Sequence, residues 1–343
     1  MLGGTKRKRL LAGLVLALVA CGAAHADDNF YQGKTVSIVV GYGIGGGYDN
    51  AARLIGRHLG RHIPGNPNVI VQNMEGAGSL RAANHVYGAA PQDGTVIAAV
   101  NQSLPIFDLV GVKGVRFEAA KLNWLGSLQA SNSVLVTWKA SGVASLFDAQ
   151  QREIPLGGSG ETSDSNVHAV AVNKLVGTRF KVINGYKGAR EIHIAIERGE
   201  VAGRAGITWS SIVAYDKAWI ADDRINVLVQ LGDKPEPDLL KVPMLQDLVK
   251  SDEDRQIVTV LTLPVVLGFS HWVGPGVPKD RLAILRAAYD ATMKDPKFIE
   301  EAAKASILLA PKSAVQVETL IRAATSTPRP VLVKVGELLG WTK

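Results

Sequence analysis

Short apolar runs alternate with longer amphipathic stretches through the first half of the chain. Thr35 to Val40 is an apolar run that predicts a strand. Tyr48 to His62 follows, with Ala51, Leu54, Ile55 and Leu59 near helical spacing, and Pro64-Gly65 ends it. Val69 to Gln72 predicts a second strand, Gly76 to about Tyr87 a second helix, and Thr95 to Val100 a third strand after the turn Pro91-Gln92-Asp93-Gly94. Repeated β-α-β units with short turns imply a parallel, doubly wound sheet.

The pattern then changes. Trp124 to Ser127 and Val134 to Trp138 read as strands, and Ile154 to Leu156 opens a second β-α series. That series continues with a helix from Asn166 to Val176, a strand from Phe180 to Ile183 and a helix from Ala189 to Arg198. Strands follow at Val201 to Ala205 and Ile225 to Gln230. Val260 to Val266 is strand-like, with Pro264 confining it to an edge or a bulge. Helices are predicted at Asp280 to Met293, Pro296 to Ala305 and, as the last element, Ser313 to Ala324. Two similar α/β lobes are the expected fold.

The N-terminus has its own pattern. Lys6-Arg7-Lys8-Arg9 precedes an apolar stretch, Leu10 to Ala20, that is too short for a stable membrane span. Ala24-His25-Ala26 supplies a signal-peptidase pattern, so residues 1–26 read as a signal peptide and the protein as periplasmic. Leu18-Val19-Ala20-Cys21 also resembles a lipobox, which leaves lipid anchoring at Cys21 open. Cys21 is the only cysteine, so the folded part holds no disulfide, thiol nucleophile or Cys-ligated metal. Four charges of the net +7 lie at Lys6 to Arg9, and no Lys/Arg run follows. A nucleic-acid surface is therefore not indicated.

Four segments carry candidate chemistry. The first is Tyr42-Gly43-Ile44-Gly45-Gly46-Gly47-Tyr48-Asp49, where a strand runs through a glycine cluster into a helix. Glycines permit close backbone approach, and the helix start presents free N–H groups to an anion. The spacing is not G-x-G-x-x-G, which argues against a dinucleotide. Asp49 suits a helix start as well as a ligand contact. The second is Asn101-Gln102-Ser103, at the end of a strand where a cleft loop belongs. The third holds Ser159, Gly160, Thr162, Ser163, Asp164 and Ser165, whose hydroxyls either take a second carboxylate or cap the helix. In the fourth, Arg204 offers a carboxylate clamp or an Arg–Asp structural pair. Gly206, Trp209 and Ser210 lie beside it, Trp209 as an aromatic wall or as core. His58 and His62, four apart on one helix, read as a solvated basic face. No nucleophile–base set, metal set or cofactor motif is recognisable, and no enzyme is predicted.

Several of these segments occur together in a specific order. They are Gly33-Lys34-Thr35-Val36 with Gly45-Gly46-Gly47-Tyr48-Asp49, then Val71 to Ser79, then Ala90-Pro91-Gln92-Asp93-Gly94. Gly185-Tyr186-Lys187-Gly188, Gly199-Glu200-Val201 and Gly276-Val277-Pro278 complete the set. In this order they resemble the extracytoplasmic solute receptors of tripartite tricarboxylate transporters, the Bug family. The resemblance implies a monomeric, two-lobed periplasmic binding protein of type II. Lobe one would hold residues 27–128 and 262–343, and lobe two residues 129–261. It implies capture of a small carboxylate, whether di-, tri- or aromatic, and its delivery to a membrane permease, with no cofactor. Family members often have Pro and Thr where this chain has Ile44 and Tyr48. Glu161 and Asp164 would repel an anion if they point inward. A ligand sensor for a membrane kinase and an exported enzyme are the rival classes.

Overall fold

The computed structural model describes residues 30–128, 131–305 and 307–341. The expected export signal, with Cys21, lies outside them. The chain runs β1 (Thr35–Val40), α1 (Gly47–Leu59), β2 (Asn68–Asn73), α2 (Leu80–Asn84), β3 (Val96–Ala99), α3 (Leu104–Val110) and β4 (Asn123–Ser127). A second group is β5 (Ser133–Trp138), α4 (Leu146–Gln151), β6 (Ile154–Gly158), α5 (Asp164–Val176), β7 (Phe180–Asn184) and α6 (Ala189–Glu197). It continues with β8 (Gly203–Thr208), α7 (Trp209–Tyr215), α8 (Lys217–Ala221), β9 (Ile225–Leu231) and α9 (Leu245–Leu248). The last group is α10 (Asp252–Leu267), β10 (Ser270–Val273), α11 (Lys279–Lys294), α12 (Pro296–Lys304), β11 (Lys312–Ser313), α13 (Ala314–Thr325) and α14 (Arg329–Leu339).

Two mixed sheets organise these elements. One has the order β11-β4-β10-β3-β1-β2 and the other β7-β6-β8-β5-β9. β1 is parallel to both β2 and β3. It is covered on both faces: Val36, Ile38 and Val40 join one apolar cluster and Val39 the other. A strand buried on two faces needs an apolar run, which is what the sequence supplies. The expected all-parallel arrangement stops there, because β10 runs antiparallel to β3 and β4. In the second sheet β6 is parallel to β7 and β8, while β5 is antiparallel to β8 and β9. The chain leaves the first sheet after β4 and returns between β9 and β10.

Two expectations need correction. Val260 to Val266 is not a strand but the last turns of α10. Ser251 caps this helix by accepting the Asp254 N–H, and Asp252, Glu253 and Asp254 favour its positive end. Its buried positions Ile257, Val258, Leu261, Pro264 and Val265 recur at helical spacing. The β-branched residues hid that period. Ser313 to Ala324 is also not the last element, since α14 follows with Pro at its start. Val335 and Leu339 of α14 share a cluster with Val167 and Ala171 of α5, so α14 packs the first unit onto the second.

Candidate functional site

Loops from the carboxyl ends of β1, β3 and β6 meet β8 and the start of α6 between the two sheets. They enclose a cavity of about 540 Å³ with a smaller recess of about 50 Å³. The larger volume suits a small ligand. From the first unit come Gly45, Gly46, Gly47, Tyr48, Gln102 and Phe269; from the second, Asp164, Arg190, His193, Arg204, Gly206, Thr208, Ser211, Tyr215 and Asp216.

The glycine turn is held open by Asp49. Its carboxylate accepts the Gly45 N–H at 2.8 Å, Arg53 Nε at 3.0 Å and Asn73 Nδ2 at 2.9 Å. Burial alone would raise its pKa, but these bonds outweigh it and hold the group below the usual carboxylate range. Gly45 has φ +86°, which glycine adopts without strain. α1 then begins without a side-chain cap. Among the described residues, none accepts a bond from the N–H groups of Gly46, Gly47 or Tyr48. α6 also begins uncapped, at Gly188, and its first residue Ala189 faces Gly46: a methyl on Gly46 would sit 3.5 Å from the Ala189 Cβ. Two positive helix ends thus converge on one wall.

Arg204 lies opposite, in both the cavity and the recess. It is buried. Its guanidinium donates to Ala205 O at 3.3 Å, Gly206 O at 3.4 Å and His193 Nε2 at 3.3 Å. His193 Nδ1 donates in turn to Asp216 Oδ1 at 3.0 Å, which fixes its tautomer. Burial lowers the His193 pKa, so the ring stays neutral and able to accept. Burial also brings Arg204 down to about 10, where it remains a cation at neutral pH.

Asp164 points inward and lines the same space. Its Oδ1 accepts the Ser103 hydroxyl at 2.6 Å. Burial pushes its carboxyl up to about 6, against the lowering pull of that hydroxyl and of Arg204. The stability consequence has a definite sign. A carboxyl with a folded pKa of about 6 and an unfolded value near 3.8 binds its proton more tightly when folded. Its contribution is therefore fully present only well below pH 3.8 and lost as pH rises through 6. The stability of the wild type relative to Asp164→Asn should fall by about 2 kcal/mol between pH 4 and pH 7.5. Chemical denaturation of both proteins at each pH measures it, and a pH-independent difference would contradict the buried setting of Asp164.

The two units touch directly around the cavity. Gly43 N–H donates to Lys187 O at 3.1 Å. Thr162 Oγ1 donates to Ala77 O at 2.6 Å, and Asn101 Nδ2 to Thr162 O at 3.1 Å. Gly78 has φ +59°, and a Cβ there would sit 2.5 Å from Ser163 N. The cleft is closed in this conformation.

No protein-family model matches the chain, and no curated protein matches it. Solved structures do. The periplasmic binding protein BugD is 16% identical with a TM-score of 0.70, over 91% of this chain and 100% of that one. MatC from Rhodopseudomonas palustris, with bound malate, is 18% identical with a TM-score of 0.68, over 87% of this chain and 99% of that one. A third, from R. palustris with adipate, is 18% identical with a TM-score of 0.68, over 90% and 98%. The fold is that of a two-lobed periplasmic binding protein.

The lobes distribute the expected residues unevenly. Tyr42, Ser159, Ser163 and Ser165 line the recess, and Gly43 and Ile44 lie on an outer rim with Lys187 and Ile194. Asn101, Ser103, Gly160 and Thr162 stand behind the wall, in contacts between the lobes. Asp49 is buried in the bonds that shape the turn and does not line the cavity. Trp209 packs into the core of the second lobe and donates to Asp238 at 3.3 Å; the Ser210 N–H donates to Ser131 Oγ at 3.1 Å. Their neighbours Thr208 and Ser211 line the cavity instead. α7 starts at Trp209, so its first turn directs that ring inward to the core. The pair His58 and His62 is no solvated face. His58 is buried against Glu301 at 2.5 Å, and His62 bonds Asp295 at 2.9 Å. Sequence reasoning missed His193, Tyr215, Asp216 and Phe269, which no local motif marks.

Proposed function

We propose that the chain is a solute receptor of the Bug kind, which captures a small carboxylate between its lobes and passes it to a membrane permease. The lobes are taken as residues 27–128 with 262–343, and residues 129–261. The reading includes export by residues 1–26, a periplasmic location and action as a monomer without a cofactor or chemical step. The observation that carries it is Arg204. A buried cation in a cleft wall, with no carboxylate within ion-pair distance among the described residues, calls for an anion from outside the chain. The N–H groups of Gly46, Gly47 and Tyr48 offer the same ligand backbone donors. Malate in MatC and adipate in the R. palustris protein are carboxylates held on this fold.

Ligand binding stabilises the closed form only through contacts that are better there. A thermal-shift screen against carboxylates, with sugars and nucleosides as controls, tests the reading. A carboxylate at 100 times its Kd should add about 2.7 kcal/mol of stability. A shift from sugars or nucleosides alone would sink the carboxylate assignment.

A further inference from the structure

The cleft holds acceptors as well as donors. Asp164 places a carboxylate in the wall of both the cavity and the recess, where the Ser103 hydroxyl donates to it at 2.6 Å and Asn101 and the Tyr48 hydroxyl also support it. Gln102 lines the cavity, is 3% exposed, and its Oε1 has no hydrogen-bond partner. A plain carboxylate can donate to neither group, because it only accepts, and Gln102 Oε1 would stay unpaired. A buried acceptor left unpaired costs the full desolvation of that group. The charges point the same way. Once a ligand carboxylate takes Arg204, Asp164 has no cation left to itself. A second ligand carboxylate placed beside Asp164 would then face it as a like charge.

We infer that the ligand is zwitterionic: a carboxylate that also carries an ammonium group, with the carboxylate on Arg204 and the glycine turn, and the ammonium on Asp164 and Gln102 Oε1. This rests on the carboxylate reading above and narrows it. An ammonium supplies three donors and one positive charge, which satisfies both acceptors and keeps the closed cleft balanced. The rest of the cavity wall, with Tyr48, Tyr215, Phe269 and Ile207, suits an apolar or aromatic body.

The test is calorimetric titration of the wild type with matched triads that differ at one group. Phenylalanine, phenyllactate and 3-phenylpropionate form one triad; 2-aminoadipate, 2-hydroxyadipate and adipate form the other. The expected result is that, in a binding triad, the amino member is at least tenfold tighter than the member with hydrogen in its place, and the hydroxy member lies between them. Asp164→Asn, which keeps an acceptor for Ser103, should cut amino-member affinity at least tenfold and leave the unsubstituted member unchanged or tighter. An unsubstituted member binding as tightly as its amino partner overturns the zwitterion and leaves the carboxylate receptor standing. A hydroxy member tighter than the amino member also overturns it, and assigns Asp164 to a neutral donor. No binding in either triad, with binding of an uncharged probe such as a sugar, overturns both readings.

Discussion

Replacement of Arg204 by Met should lower carboxylate affinity at least a hundredfold, about 2.7 kcal/mol, while leaving the ligand-free protein as stable as the wild type or more so. The two halves of this result come from one fact. The guanidinium is buried, and its hydrogen bonds to Ala205 O, Gly206 O and His193 are long, between 3.3 and 3.4 Å. Its desolvation is thus poorly compensated in the ligand-free chain, and a methionine of similar length removes that cost. A bound carboxylate changes the balance, because truncating one member of a desolvated charge pair typically costs about 2–5 kcal/mol. Arg204→Lys should sit between the two, since it keeps the charge but loses the planar fork. Titration calorimetry and thermal unfolding on the same preparations measure both halves. A drop in melting temperature with unchanged affinity would make Arg204 a structural residue and remove the observation on which the functional reading stands.

The second large effect is expected at a residue that touches no ligand. Gly78→Ala should weaken carboxylate binding by at least tenfold and leave the lobes apart in solution. An added Cβ at Gly78 would lie 2.5 Å from Ser163 N and 2.6 Å from the Thr162 carbonyl carbon, both in the opposite lobe. These are backbone atoms and cannot swing aside. Gly78 also has φ +59°, where alanine costs about 1–2 kcal/mol. That cost is shared by open and closed forms, so it lowers the melting temperature but cancels from the binding equilibrium. The clash exists only when the lobes meet, so it alone lowers affinity. Small-angle scattering with and without a saturating carboxylate reads the closure. A variant that compacts as the wild type does, with equal affinity, would show that the Gly78–Ser163 approach is not needed for closure.

Much of the fold was legible because its signals are local. β1 is an apolar run, Pro64-Gly65 ends the α1 region, and the glycine turns sit where strands become helices. α10 was misread for an equally local reason. Val258, Val260, Val265 and Val266 suggest a strand, and the Ser251–Asp254 cap that starts a helix lies upstream of them. Strand direction was less accessible. β10 reaches the first sheet only after the chain has built the second, and nothing in Ser270 to Val273 encodes an antiparallel partner more than a hundred residues away.

The site divides the same way. Gly46, Gly47, Tyr48 and Asp164 announce themselves by their place beside a glycine-rich turn. The orienting series Arg204, His193 and Asp216 comes from β8, α6 and the end of α7, so it exists only in three dimensions. Asp49 and Trp209 illustrate the converse. Each sits in a segment that faces the cleft, yet the helix it begins turns its side chain into hydrogen bonds or core. Sequence proximity to a site is not orientation toward it, because a residue one step along a helix points about 100° away.

The central claim is that a carboxylate is held between the lobes by Arg204 and the glycine turn. A crystal structure of the complex with the best-binding carboxylate tests it most directly. The account predicts one carboxylate group within hydrogen-bond distance of the Arg204 guanidinium and of the N–H groups of Gly46 to Tyr48. A ligand seated elsewhere on the molecule, or one whose carboxylate contacts neither Arg204 nor the turn, would contradict it.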